Sequence, residues 1–209
     1  MIAAQDVTIL VLSGGQGSRM GGVDKGLQPL NGMAMVEHVL RRARPQAAEV
    51  MINANRNLER YRALGLPVWP DTPDDRSGPL AGFLTGLQHC TTPWLATLPC
   101  DSPRLPLDLI ARLSAQADAS GSDIAMAAAP ETDRDGSIRV RPQPVFCLLH
   151  TGLATSLRTF MQQGGRKIDA WTALHATALV PFDRPTDDPM AFFNANTLAE
   201  LDMLAASRP

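Results

Sequence analysis

The segment that most limits what this chain can fold into is its first. Val7-Thr-Ile-Leu-Val-Leu12 is an almost unbroken aliphatic and β-branched run, and it opens directly into Ser13-Gly14-Gly15. A continuous apolar run of this length suits a strand covered on both faces, the kind found in parallel sheets. Parallel neighbours need crossover connections, usually helical, and the following sequence supplies them. Apolar residues at Met35, Val36, Val39 and Leu40 predict a helix over 35–42. Residues 49–53 read as a second strand, and Asn57 can cap a helix that runs to Leu64 and stops at Gly65. A short extended piece follows at 67–70, then a helix opened by Pro79, a strand at 94–98, a helix at 105–117 and a strand at 123–128. This alternation predicts βαβ units around a mostly parallel sheet. Beyond Ala129 the pattern changes to a polar turn at 131–136, a strand at 145–149, helices at 151–163 and 166–174, a strand at 177–182 and a closing helix at 197–206. One α/β domain with an elaborated C-terminal part accounts for all of it.

Composition narrows the function classes. A chain of 209 residues with 44% apolar and 19% charged residues can bury one full core. A formal net charge of -2 gives no basic field for counterion release, which argues against nucleic acid as a partner. Residues 1–12 have neither a charged n-region nor the length to cross a bilayer, so the expectation is a cytoplasmic protein with no membrane contact. Cys90, Cys100 and Cys147 are too dispersed for a zinc site or a disulfide frame and read as buried apolar residues. The histidines, His38, His89, His150 and His175, likewise show no metal-ligand spacing.

In an open parallel sheet, ligands bind where strands end at their carboxyl edge. The residues that follow the predicted strands are the loop 13–25, then Asn53-Ala-Asn-Arg56, Asp71 and Asp101. Polar and charged groups therefore converge on one edge. The loop carries five glycines between Gly14 and Gly22, together with Arg19 and Lys25. Glycines let backbone N–H groups approach a phosphate, and the two cations can neutralise a triphosphate. A Walker A loop is excluded because Lys25 follows Asp24 and precedes Gly26; the dinucleotide fingerprint is excluded because Met20 fills its third glycine position. Asp101 reads either as an oxygen ligand for Mg2+, which binds through one or two carboxylates plus substrate phosphates, or as the N-cap of the helix predicted over 105–117. Asp71 reads either as a second polar partner or as the first residue of a turn.

These residues resemble a known family. Leu12-Ser-Gly-Gly-Gln-Gly-Ser-Arg-Met-Gly-Gly-Val-Asp-Lys-Gly-Leu27 is similar to the nucleotide-binding loop of the molybdenum cofactor guanylyltransferases. Asn53-Ala-Asn-Arg56, Gly78-Pro-Leu-Ala-Gly82, Pro99-Cys-Asp-Ser-Pro103 and Asn194-Ala-Asn-Thr197 resemble that family's later motifs in the same order. Two positions depart from its pattern: Ser13 stands where alanine is usual, and Leu198 where proline is usual. The resemblance implies a three-layer, Rossmann-like nucleotidyltransferase domain over 1–209, with a nucleotide-binding half at 1–128 and a pterin-binding half at 129–209. It implies a reaction between GTP and molybdenum-molybdopterin, an acceptor molybdoenzyme or its chaperone as a further partner, and action as a monomer. It assigns Leu12, Ser13 and Gly14 to guanine or ribose, with Gly15 also in the nucleotide site, Lys25 and Arg19 to the phosphates, Asn53 and Asp71 to the nucleotide, and Asp101 to Mg2+. Asn194 and Asn196 are placed near the pterin phosphate or the metal.

The family's nucleophile, a pterin phosphate, is already ionised at neutral pH, so no strong general base is expected. Arg139, Arg141, Arg166, Lys167 and Gln143 are candidates for docking the pterin, with solvated surface charge as the alternative. Two rivals remain at this stage: cytidylyl or sugar-phosphate transfer on the same fold, against which the Ser13-Gly-Gly15 sequence speaks, and a non-catalytic module that binds GTP and delivers the pterin.

Overall fold

The structure is a computed structural model and describes residues 1–13, 23–72, 78–133, 135–195 and 197–206. Among these, nine strands are β1 (Val7–Leu12), β2 (Pro29–Leu30), β3 (Met33–Ala34), β4 (Glu49–Asn53), β5 (Val68–Trp69), β6 (Trp94–Pro99), β7 (Ile124–Thr132), β8 (Ile138–His150) and β9 (Thr177–Pro181). Seven of them form one sheet in the order β5-β4-β1-β6-β8-β7-β9. The helices are α1 (Met35–Ala43), α2 (Leu58–Arg62), α3 (Pro79–His89), α4 (Leu109–Ser120), α5 (Ala154–Gln162), α6 (Ile168–Thr172) and α7 (Leu198–Ala206).

Strand β1 is central and pairs in parallel with β4 on one side and β6 on the other. Its side chains alternate between two cores. Val7, Ile9 and Val11 join α1 and α4 on one face, while Leu10 joins α3, α5 and α6 on the other. That double burial is why the sequence of β1 shows no polar alternation. The result is the three-layer α/β arrangement expected, with β8 as the antiparallel exception between β6 and β7.

Several boundaries differ from the sequence reading. Helix α4 starts at Leu109, not at 105. Pro106 disfavours the α region for Leu105, and Leu105 instead gives its carbonyl to Arg42 Nε at 2.6 Å. Asn57 precedes α2 in a left-handed conformation with φ 52° and forms no side-chain cap. Strands β7 and β8 run on into a long hairpin, pairing Thr132 with Ile138, so the turn expected at 131–136 is shorter. Strand β8 starts at Ile138, seven residues before the strand expected at 145–149, and so includes Pro142 and Pro144, which cannot donate to a ladder. The structure accommodates them in a register shift: Met126 pairs with Cys147, yet Ala128 already pairs with Pro142. A further hairpin, β2–β3, turns on Asn31 and Gly32, with φ 48° and 84°. The Asn-Gly pair is the usual signal for such a turn.

Candidate active site

Chain order around β1 decides where a ligand can bind. From β1 the chain moves outward through β4 and β5, then returns to place β6 on the opposite side. The carboxyl ends of β1 and β6 therefore border a topological switch point, where loops diverge and leave a crevice. Leu12 pairs with Pro99 there, and Cys100 N donates to Leu12 O at 3.1 Å. Strand β8 leaves β6 after the Thr97–Cys147 pair, and Thr97 Oγ1 instead donates to Val145 O at 2.7 Å. The end of β6 is thus open on that side.

Asp101 follows β6 in this opening. Lys25 Nζ forms an ion pair with its Oδ2 at 3.2 Å, with side chains 22% and 14% exposed. The helix-cap reading of Asp101 is removed, because α4 begins eight residues later and its N-cap position is Asp108. The C-terminal segment comes back to the same place. Ala195 N donates to Asp101 O at 3.2 Å, and Ser102 Oγ donates to Asn194 Oδ1. The structure thus joins Lys25, Asp101 and Asn194, three predicted site residues from distant parts of the chain. Gly14, Gly15, Arg19 and Asn196 lie outside the described residues.

Leu12 and Ser13 sit at the mouth of β1. Ser13 N donates to Asn53 O at 2.7 Å, and its buried hydroxyl lies against Tyr61 and Cys100. Burial, reinforced by Asp101, pushes the Cys100 thiol up to about 12. Burial likewise pushes the Tyr61 hydroxyl far upward, so both stay protonated.

Asn53 and Asp71 meet in a buried hydrogen-bond knot. Asp71 Oδ1 accepts from Asn53 Nδ2 at 2.8 Å and from Thr85 Oγ1 at 3.2 Å, and its Oδ2 accepts from Asn55 Nδ2 at 2.7 Å. The knot fixes the Asn53 amide: its nitrogen serves Asp71 and Trp69 O, so its oxygen faces Gly82. A Cβ at Gly82 would lie 2.6 Å from that oxygen and 2.5 Å from Leu12 Cδ2. Asn55 and Thr85 were missed in the sequence; Asn55 stands inside the Asn53–Arg56 motif and could have been found there.

The candidates for pterin docking scatter. Arg139 and Arg141 both pair with Asp133 on the β7–β8 hairpin, at 3.2 and 2.6 Å. Gln143 Nε2 donates to Glu131 Oε1 at 2.7 Å. Arg166 is spent on the end of α5, donating to Met161 O and Gly165 O, both at 2.7 Å. A stronger link to the site is one the sequence did not reveal. The segment 182–195 is anchored by Arg104 to Asp188 at 2.7 Å and by Arg112 to Asp187 at 2.8 Å, with Phe192 packed edge-on against Phe146 and Phe182. These anchors carry Asn194 to Asp101.

No cluster of three or more His, Cys, Asp or Glu occurs among the described residues. The donors nearby are the Asp101 carboxylate, which also pairs with Lys25, and the amide oxygen of Asn194, which also accepts from Ser102 Oγ; both are hard oxygen groups. They fit Mg2+, which takes few protein ligands and completes its shell with water and phosphate oxygens.

A mostly parallel sheet with a lysine–carboxylate pair at its switch point suits an α/β nucleotidyltransferase domain, the class to which the family match assigns it. Residues 9–205 match the MobA-like NTP transferase domain family. The chain is 64% identical over 206 residues to a molybdenum cofactor guanylyltransferase of Albidiferax ferrireducens and 63% identical over 205 residues to one of Acidovorax sp., covering 98% of this chain and 98% and 97% of those proteins. It therefore belongs to the molybdenum cofactor guanylyltransferase family. The fold is shared with molybdopterin-guanine dinucleotide biosynthesis protein A of Archaeoglobus fulgidus, at a TM-score of 0.74 and 20% identity over 95% of this chain and 96% of that one.

Proposed function

We propose that this chain transfers GMP from GTP to the terminal phosphate of molybdenum-molybdopterin, yielding the guanine dinucleotide cofactor and pyrophosphate. The observation that carries the reading is the Lys25–Asp101 pair at the switch point, with Asn194 delivered to the same place. An oxygen of the pterin phosphate forms the new bond to the α-phosphorus of GTP, and the bond from that phosphorus to the bridging oxygen of the β-phosphate breaks. The electron pair leaves with pyrophosphate. The nucleophile is an anion, so the protein's contribution is alignment and charge neutralisation rather than proton removal.

In this reading Leu12, Ser13, Gly14, Gly15 and Asn53 hold the nucleoside, and Asp71 sets the Asn53 amide in place. Lys25 and Arg19 hold the phosphates and balance charge on the departing pyrophosphate. Asp101 would hold Mg2+, with Asn194 and Asn196 beside it, and the ion would supply charge neutralisation for the phosphates. Residues 1–128 serve the nucleotide and 129–209 the pterin. No helix among the described residues is long and apolar enough to cross a membrane; a reaction that consumes GTP would run in the cytoplasm. The chain acts as a monomer that passes its product to an acceptor molybdoenzyme or its chaperone.

The test is purified protein with Mg2+, molybdenum-loaded molybdopterin and either GTP or CTP, read as pyrophosphate release and product mass. Pterin-dependent release with GTP and a GMP adduct is expected. Release with CTP alone would replace guanylyl by cytidylyl transfer, and tight GTP binding with no release would make the chain a delivery module.

A further inference from the structure

The transfer reaction uses Lys25 and leaves the carboxylate next to it without a role. Asp24 is buried, its side chain only 5% exposed. Tyr61 Oη donates to its Oδ1 at 2.6 Å, and Asn57 Nδ2 donates to its Oδ2 at 3.0 Å. Arg56 Nε lies 3.8 Å from the same Oδ2, and Arg56 Nη2 donates to Val23 O at 2.9 Å. The backbone is held too: Asp24 O accepts from Leu27 N at 3.2 Å and Gln28 Nε2 at 3.1 Å.

A carboxylate withdrawn from water is costly unless its oxygens are hydrogen-bonded and its charge is balanced. The chain commits three side chains to that end. Asn57 takes a left-handed backbone conformation, rare for a residue other than glycine, and its amide serves Asp24 rather than capping α2. Tyr61 is wholly buried. Gly26 completes the fit, since a Cβ there would lie 2.7 Å from Tyr61 Oη and 3.0 Å from Cys100 Sγ. A packing role alone would be met by an apolar residue at position 24. The chain instead locks the two residues around a single peptide bond, Asp24 into the Tyr61–Asn57–Arg56 knot and Lys25 onto Asp101.

We propose that Asp24 is a positioning residue for the transfer reaction, its buried carboxylate fixing the backbone from which Lys25 reaches Asp101. The inference rests on the proposed function, since it is phosphate chemistry that makes the placement of Lys25 matter. It also explains Arg56, whose guanidinium ties the second site motif to the end of the first.

The chain contains only two lysines, Lys25 and Lys167, so the position of Lys25 can be read without catalysis. Acetylation of Lys25 relative to Lys167, followed by mass spectrometry, is compared between wild type, Asp24→Asn, Tyr61→Phe and the double variant Asp24→Asn with Asn57→Asp. Turnover and the GTP KM are measured on the same samples. Asp24→Asn should raise the Lys25 to Lys167 labelling ratio and lower kcat by about ten- to a hundredfold with the GTP KM within about threefold, as expected for a misplaced group that acts in the transition state. The double variant returns a carboxylate to the knot and should recover both readouts. Tyr61→Phe, which removes one hydroxyl, should shift both in the same direction by less, and it decides the matter if Asp24→Asn does not fold. An unchanged labelling ratio with unchanged kcat overturns the inference, as does a loss that falls equally on kcat and KM and follows the melting temperature. Wild type that labels as expected but releases no pyrophosphate would instead remove the transfer reading and leave the placement of Lys25 by Asp24 standing.

Discussion

Lys25 Nζ lies 3.2 Å from Asp101 Oδ2, although the two residues are 76 positions apart in the chain. The contact exists because β1 and β6 are neighbours in the sheet, so the loops that follow them leave from adjacent strand ends. Around this pair the candidate site gathers Lys25, the end of β6 and the segment that carries Asn194.

Asp101→Ala should lower turnover by at least about a hundredfold, the usual cost of one electrostatic contact to the transition state. The fold should survive, since the interaction of Asp101 with the C-terminal segment runs through its backbone oxygen. Pyrophosphate release and a thermal melt on one preparation check both halves. Turnover close to wild type would remove Asp101 from the mechanism.

Asp71→Ala should weaken both folding and nucleotide binding. It strips the partner from Asn53, Asn55 and Thr85 in a buried setting, and orphaned buried groups cost about 1–3 kcal/mol each. A urea titration should show the loss, and the GTP KM should rise as the Asn53 amide is released. A variant as stable as wild type would show that the knot does not support the fold.

Gly82→Ala offers a test of sign. In an exposed helix interior, alanine is favoured over glycine by about 1 kcal/mol. Within α3 the added Cβ meets Asn53 Oδ1 and Leu12 Cδ2, and overpacking a tight site costs about 1–3 kcal/mol. The variant should therefore melt lower than wild type and bind GTP more weakly. A higher melting temperature would show that the site yields to the methyl group.

The cysteines should respond to pH and to alkylation in opposite orders of burial. Burial pushes the Cys100 thiol up to about 12 and raises that of Cys147 as well, from an ordinary value near 9. At pH 8 iodoacetamide should modify half-buried Cys90 first and leave Cys100 and Cys147 untouched until urea is added. Because the folded-state values are raised, the neutral thiols favour the native state fully at pH below about 9. That contribution is lost as pH rises from about 9 towards 12. Urea midpoints at pH 7.5, 9 and 10.5 should fall in that order, and Cys100→Ala should reduce the slope. A flat profile would show that the thiols remain unlinked to folding.

Much of the architecture was legible along the chain because local signals agreed with the final packing. The run at 7–12 reads as a strand with both faces buried, and Pro79 opens α3. Errors fell where tertiary contacts or proline chemistry overrode a local pattern. Leu105 fits a helical period, yet Pro106 and the bond to Arg42 keep it out of α4. Asn57 is a good capping residue by type, but the buried carboxylate of Asp24 claims its amide.

The sequence by itself determined the class of fold, and it singled out Lys25 and Asp101 by their place after strands and Asn194 through the resemblance of 194–197 to a family motif, as the residues proposed for the site. Only the tertiary structure decided how they are held. Asp71 as the anchor of Asn53, Asp24 as the root of Lys25, and Arg104 and Arg112 as anchors of the segment bearing Asn194 all depend on contacts between residues far apart in the chain. A side chain's partner is set by where the sheet and helices bring it, and no local periodicity or composition encodes that distance.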